Sequence, residues 1–320
     1  MPIRICLAQS EQHIDQVFRL RHQVFCEEGK YFEVDGAEIV LDQFDTFPAS
    51  QLFVALDEAN QVVGSVRVTM DNPVGMPSDE YFDFRAHVPQ DSRLMSVGMF
   101  CVAKPHRSAT VASGLLLMCS YYAMANKVDY ACMPLNPDIG NLIRRVGGKP
   151  VTEEEHMVPH LNVGFLPYLL HIDEMNETFV HFAKQNIAYN MIQSYECMIF
   201  KKGEQIIRKG DIGDCAYVIV NGSAEVLHPK TSRPMAELSE GDVFGELALF
   251  SSCNRRTADV VATSAVRAMV LPQKAFLEHI KTSPEASLSL LSSMSSRMKS
   301  VLARDCPDGV VPVEHLSAEF

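Results

Sequence analysis

The chain has 320 residues, of which 47% are hydrophobic, 21% charged and 8% aromatic. This is the composition of a globular protein and excludes the disordered, collagenous and small disulfide-rich classes. At roughly 150 residues per domain the length allows two separate cores. The net charge is −12, and neither half has the basic excess of a nucleic-acid binder, with 14 basic against 24 acidic residues before residue 186 and 14 against 16 after it. No apolar run approaches the roughly 20 residues of a membrane helix, and the N-terminus carries no export-signal pattern. A cytoplasmic protein without an integral membrane segment is expected. The nine cysteines are scattered without a Cys-x-x-Cys pair, so reduced thiols are expected.

In chain order, residues 3–8 alternate as a strand, and Ser10 is placed to cap a helix carrying Ile14, Val17, Phe18, Leu20, Val24 and Phe25, with Gly29 as its stop. Strands are expected at 39–41, 51–56 and 62–70, the last two joined by the turn Asp57-Glu58-Ala59-Asn60. Residues 71–92, rich in Asp, Pro and Gly, read as a long loop, and loops of that length are more often functional than idle. A buried strand at 94–102, a helix at 108–126, a strand at 128–133, a short helix at 138–146 ended by Gly147-Gly148, and a strand within 158–170 follow. A connecting helix is expected over 175–190. From Cys197 the pattern becomes short β runs punctuated by Gly203, Gly210, Gly213, Gly222, Gly241 and Gly245, which is a β-roll, and a helical stretch over 272–302 closes it. Three divisions result: 1–185, 186–303 and a tail, 304–320. The fold class is α+β.

The sharpest local signal is Gly241-Asp242-Val243-Phe244-Gly245-Glu246-Leu247-Ala248-Leu249-Phe250, followed by Arg256-Thr257-Ala258-Asp259-Val260. Glycine before one helical turn aims backbone N–H groups at an anion, and a nearby arginine closes over it as a charged fork. A carboxylate beside an anion site is useful only as an acceptor for neighbouring hydroxyls, as on a ribose. This arrangement closely resembles the phosphate-binding cassette of the cyclic-nucleotide-binding domain, over residues 195–302. The resemblance implies that Glu246 holds the ribose 2′-hydroxyl and Arg256 the cyclic phosphate. Gly245, Leu247 and Ala248 would complete the cradle, with Thr257 touching phosphate or base. It implies cAMP as the ligand, with cGMP as the alternative.

The residues after the last helix are too few to read DNA, so the output is expected from residues 1–185. There the order of helix, antiparallel strands, strand, helix, strand resembles the GNAT acyltransferase fold, in which a splayed strand pair admits the acyl carrier's pantetheine arm. Arg19-Leu20-Arg21-His22-Gln23-Val24-Phe25-Cys26-Glu27-Glu28, Leu41-Asp42-Gln43-Phe44-Asp45 and Gly64-Ser65-Val66-Arg67-Val68 more specifically resemble the autoinducer-synthase and N-acyl amino acid synthase branch. The resemblance implies that Arg21, Phe25, Asp42, Asp45 and Arg67 line the site where an acyl group meets an acceptor amine. It also implies that Phe100, Val102, Arg107, Thr110 and Ala112 flank the arm and phosphate of the donor. Two features depart from that branch: its Glu-x-Ser-Arg run is replaced around Ser96, Gly98 and Met99, and its phosphate loop has Thr110 at a glycine position.

His106, Tyr121 and Tyr122 are further candidates for acid–base work, with loop and packing roles as alternatives. His156 and His160 flank Pro159, which spoils a helical ligand pair, so no metal is expected. The expected function is a cyclic-nucleotide-regulated N-acyltransferase drawing on acyl carrier protein or acyl-CoA. A non-catalytic nucleotide sensor and a protein-lysine acetyltransferase are the alternatives. An acidic carrier protein would need a basic patch from Lys104, Arg107, Arg144, Arg145 and Lys149. A homodimer is expected from the apolar face Leu288, Leu290, Leu291, Met294, Met298, Val301 and Leu302.

Overall fold

A computed structural model describes residues 2–31, 36, 38–158, 163–175 and 195–305. The chain divides into two compact units, Met1–Ile199 and Phe200–Phe320. The connecting helix expected after Met175, the boundary at 185 and the tail after Asp305 lie outside the described residues.

In the first unit, β1 (Ile3–Leu7) leads into α1 (Glu11–Arg21), whose N-cap Ser10 accepts the His13 N–H as the sequence implies. The helix then widens into a π-helical segment, His22–Glu28, which stops at Gly29. Strands β2 (Ser50–Leu56), β3 (Val62–Met70) and β4 (Leu94–Val102) form an antiparallel meander. They are followed by α2 (Ala109–Ala125), β5 (Tyr130–Leu135), α3 (Pro137–Arg145) and the short β6 (Lys149–Pro150) and β7 (His156–Met157). Strand β8 (Gly164–His171) and, after the undescribed segment, β9 (Cys197–Phe200) complete the set. Strand β9 pairs with β1, and the order runs β9-β1-β2-β3-β4-β5-β8-β6.

Strand β2 is buried on both faces, which is why it reads as an unbroken apolar run. Leu52, Val54 and Leu56 pack with Val17 and Leu20 of α1, and Phe53, on the other face, meets Tyr122 of α2. The helices therefore lie on opposite faces. Strand β4 pairs with β5 in parallel only at Leu94–Ser96 against Tyr130–Cys132, although both strands run on beyond that point. This is a splayed pair of the kind that the acyltransferase resemblance implies. Next to it, β4 carries a bulge against β3, with Met99 in the left-handed region at φ 51°.

Two expectations need correction. Residues 39–41 form no strand: Val40 N–H is spent on the Phe18 carbonyl, and Asp42 at once caps a 3-10 turn, Gln43–Thr46. The stretch 272–302 is two helices, because Pro284 has no N–H to continue the first one and pushes Ser283 to an extended conformation. Residues 71–92 contain the 3-10 turns Pro77–Glu80 and Phe84–His87, are held by Arg85 between Asp71 and Asp79, and bury Met76 and Phe84.

The second unit is a β-roll. Strands β10 (Gln205–Ile207), β12 (Ala224–Leu227) and β13 (Pro234–Leu238) form one sheet with β15 (Asp259–Ala262), in the order β10-β15-β12-β13. In the facing layer, β11 (Cys215–Asn221) pairs with β14 (Val243–Phe244) and β16 (Val266–Pro272). A single turn, α4 (Leu247–Phe250), follows β14, and α5 (Gln273–Thr282) and α6 (Pro284–Asp305) close the unit.

Candidate functional site

Four of the five residues expected at the acyl-transfer site converge. The Asp42 side chain accepts the Phe44 N–H at 2.8 Å and the Asp45 side chain accepts the Asp42 N–H at 3.0 Å, so a reciprocal cap of one 3-10 turn aims both carboxylates. Arg67, inward-facing on β3, donates to both Asp42 oxygens at 2.5 and 2.8 Å and lies 3.0 Å from Asp45 Oδ1. Arg21, from the end of α1, donates to Asp45 Oδ2 at 2.8 Å. Arg21 and the Asp45 side chain are fully buried and Arg67 nearly so, whereas the Asp42 side chain keeps 33% exposure. The cluster thus presents Asp42 outward and buries the rest.

Burial alone would push the Asp45 carboxyl up, but Arg21, Arg67 and the Asp42 N–H together hold it below the ordinary carboxylate range. Burial opposes the charge of Arg67, which Asp42 and Asp45 more than restore. Arg21 Nε and Nη2 are buried donors without a hydrogen-bond partner. Buried donors of that kind cost about 1–3 kcal/mol each unless a ligand or water takes them. Phe25 packs against the core between α1 and β2 and meets the Tyr31 ring at 6.4 Å.

Near the splay, Phe100 is half-buried and Val102 buried on β4. Arg107 is held, its Nε donating to the Val102 carbonyl at 2.9 Å and its Nη2 pairing with Glu28. Ser108 caps α2 by accepting the Val111 N–H, and Thr110 and Ala112, both half-buried, occupy the first helical turns. Ser96 is buried and Gly98 pairs with Arg67 across the sheet, so neither supplies a charge at the cluster. His106 lies in a 3-10 turn, Tyr121 is core and Tyr122 packs on Phe53. Of the five basic residues proposed as a patch, Arg107 is spent on Glu28, Lys149 pairs with Glu174, and Arg144 donates to the Tyr168 hydroxyl.

The second unit brings together all the cassette residues. A cavity of about 490 Å³ is lined by Gly245, Glu246, Leu247, Ala248, Arg256 and Thr257, with Leu291, Met294, Arg297 and Met298 from α6. Gly245, at φ 78°, needs its missing Cβ: one would lie 2.7 Å from Arg256 Nη1. The buried Arg256 donates through Nη1 to the Cys215 and Gly245 carbonyls at 2.8 Å each, and its guanidinium lies 5.7 Å from the Tyr217 ring centre. Glu246 is 3% exposed, and its Oε1 accepts from Arg297 Nη2 at 2.8 Å. Burial pushes the Glu246 carboxyl up, and Arg297 only partly offsets that rise.

Sequence reasoning missed three contributors. Arg297 had a signal, a lone cation on a face otherwise carrying Leu291, Met294 and Met298. Gly213 reads as a turn glycine, yet a Cβ there would lie 2.6 Å from Arg256 Nε and 2.7 Å from Ala248 Cβ. Glu28 lies 79 residues from Arg107, and no local spacing reveals that pair.

An acyltransferase-type fold with a buried Arg–Asp cluster, followed by a β-roll with a phosphate-type cassette, defines a two-part class of protein. Comparison with known families agrees: residues 16–173 match the family of the N-acyl amino acid synthase FeeM, and residues 198–283 match the cyclic nucleotide-binding domain. The chain joins an N-acyltransferase-type domain to a cyclic nucleotide-binding domain. Among solved structures, FeeM, described as an N-acyl amino acid synthase from uncultured soil microbes, aligns at 18% identity and TM-score 0.47, covering 54% of this chain and 93% of that one. Among curated proteins, the mouse (Mus musculus) cyclic nucleotide-gated channel beta-3 is 31% identical over 136 residues, 39% of this chain and 20% of the channel. The cAMP-dependent protein kinase regulatory subunit of Mucor circinelloides f. lusitanicus is 30% identical over 109 residues, 31% of this chain and 25% of that one. The chain spans a quarter or less of the length of these two relatives. No helix among the described residues is long and apolar enough to cross a membrane.

Proposed function

We propose that the chain is an N-acyltransferase moving an acyl group from a carrier thioester to an amine, its rate set by a cyclic nucleotide. The observation that carries the reading is the buried Arg21–Asp45–Arg67–Asp42 cluster on the unit with the splayed β4 and β5. Asp42, the exposed member, holds the acceptor's ammonium group. Once that group has lost a proton, its nitrogen attacks the thioester carbon, a C–N bond forms, the C–S bond breaks, and the further proton that the nitrogen sheds goes to the departing thiolate. The free donors of Arg21 suit an acceptor carboxylate or a developing oxyanion, which makes an amino acid-like acceptor the preferred substrate.

Phe100, Val102, Arg107, Thr110 and Ala112 flank the donor's pantetheine and phosphate in this reading. Arg107 and Lys149 are paired with Glu28 and Glu174, which reduces the basic charge open to an acidic carrier protein, so acyl-CoA stands beside acyl carrier protein as donor. In the second unit, Glu246 takes the ribose hydroxyl and Arg256 the cyclic phosphate, with cAMP favoured and cGMP the alternative. The division at 185 and 303, a homodimer through the exposed Leu288, Leu291 and Met298, and a cytoplasmic location belong to the same reading.

One observation favours a second reading. Uncharged Ser96 and Met99 stand on the strand where the family carries Glu and Arg, as a non-catalytic sensor would. The two readings separate in one assay: thiol release from acyl donors over a panel of amino acids, with and without cAMP, on protein shown to bind the nucleotide.

A further inference from the structure

We infer that β9 is the element that carries nucleotide occupancy to α2, the helix whose first turns belong to the donor site. This rests on the cyclic-nucleotide reading of the second unit and names the route by which that unit acts.

On the acyltransferase side, β9 is built into the sheet: Cys197 pairs with Ile5 and Ile199 with Ile3. Helix α2 presses on this corner at a glycine. A Cβ on Gly114 would lie 2.5 Å from Ile5 Cδ1 and 2.9 Å from Ile199 Cδ1, so the helix backbone lies directly against both side chains. Two turns further along α2, the Tyr122 ring lies 5.4 Å from that of Tyr195, two residues before β9. Tyr195 has φ 45°, a conformation costly for a non-glycine residue and kept only where the surroundings fix it. The segment entering β9 and the strand itself therefore grip one helix at two points.

On the nucleotide side, β9 ends at Phe200 and the exposed residues Lys201, Lys202 and Gly203 lead into β10. Gly203 N–H donates to the Ala262 carbonyl at 2.8 Å and Ala262 N–H to the Glu204 carbonyl at 2.9 Å. Gln205 then pairs with Val261 of β15. Strand β15 begins at Asp259, straight after the cavity residues Arg256, Thr257 and Ala258. A ligand that pulls Arg256 from the Cys215 and Gly245 carbonyls displaces the start of β15. The displacement passes through these ladder bonds to residues 203–205 and through the backbone to Ile199. Close-packed neighbours do not absorb such a shift smoothly, so α2 moves with its contact at Gly114. Arg107, Thr110 and Ala112 at its start move too.

The test is hydrogen exchange on the full chain with and without saturating cAMP or cGMP, occupancy being measured in parallel by calorimetry. The expected result is a change of about fivefold or more in exchange across residues 108–114, the lower end of coupling between sites. Ile199→Val removes the Cδ1 atom that touches Gly114 and is mild enough to fold. It should cut that response severalfold while nucleotide affinity stays within about twofold, as for distant sites. Unchanged exchange at 108–114 in the wild type at full occupancy overturns the proposal, as does a wild-type response in Ile199→Val. Absence of any nucleotide binding is a separate readout: it removes the cyclic-nucleotide reading itself, and this proposal with it.

Discussion

Arg297 donates to Glu246 at 2.8 Å across the cavity of the second unit, so a helix-borne cation holds the carboxylate that the ribose would otherwise engage. Burial still leaves the Glu246 carboxyl above its ordinary range. Arg297→Ala removes the main opposing charge and should raise it further. If the ionised form accepts the ribose hydroxyl, as proposed, nucleotide affinity should fall as pH drops through the raised value. In Arg297→Ala the fall should begin at higher pH. Calorimetric titrations across a pH series check this, and coincident pH profiles would count against it.

Arg256→Ala and Glu246→Ala should each weaken nucleotide binding at least about tenfold, since a hydrogen bond to a charged group contributes about 1.5–3 kcal/mol. Calorimetry on ligand-stripped protein measures both. Unaltered affinity in either variant would remove that residue from the cavity's chemistry.

Gly213→Ala should act on the same site without removing a charged group. Its Cβ collides with Arg256 Nε and with Ala248 Cβ, and Arg256 is already committed to two carbonyls. The guanidinium must leave its position, so affinity should drop toward that of Arg256→Ala while the unit stays folded. Circular dichroism and calorimetry together report the two halves of this expectation.

Asp42→Asn should lower acyl transfer by about a hundredfold or more, the scale for losing a positioned charge in a site. Its carboxylate is the exposed member of the cluster, so the fold should survive. Arg67→Ala takes one of two cations from the buried Asp45 carboxylate, which keeps Arg21, and should cost about 1–3 kcal/mol of stability as well. Nucleotide affinity should stay unchanged in Asp42→Asn. Steady-state kinetics and thermal melts separate the two effects.

The cluster also sets an acid limit. Asp45 is held below its unfolded value, so its contribution is present in full above about pH 4 and is lost as pH falls through the depressed native value. Urea melts of the wild type should show stability falling over that interval. Asp45→Asn, already destabilised, should show a shallower slope.

Much of this was legible because the chemistry sits in short runs. Gly245 to Ala248 with Arg256 and Thr257 is one cassette, and Asp42 and Asp45 cap one turn, so local spacing implies local geometry. Strand β2 was equally readable, since two-sided burial leaves an unbroken apolar run. What stayed hidden depends on distant partners. Nothing near Glu28 announces Arg107, and Gly213 declares a turn but not the arginine packed over it. The false strand at 39–41 came from three apolar residues in a row, and the hydrogen bond from Val40 to Phe18 is tertiary. The break at Pro284 was readable, and the apolar residues on both sides masked it.

The measurement that tests the central claim most directly is release of free thiol from long-chain acyl carriers and from acetyl-CoA over a panel of amino acids, with and without cAMP or cGMP. The expected result is faster release from the long-chain donors, a rate that changes with nucleotide, and loss of both in Asp42→Asn. No release from any donor under any of these conditions, on protein that binds nucleotide, would contradict the acyltransferase reading and leave the chain a non-catalytic sensor.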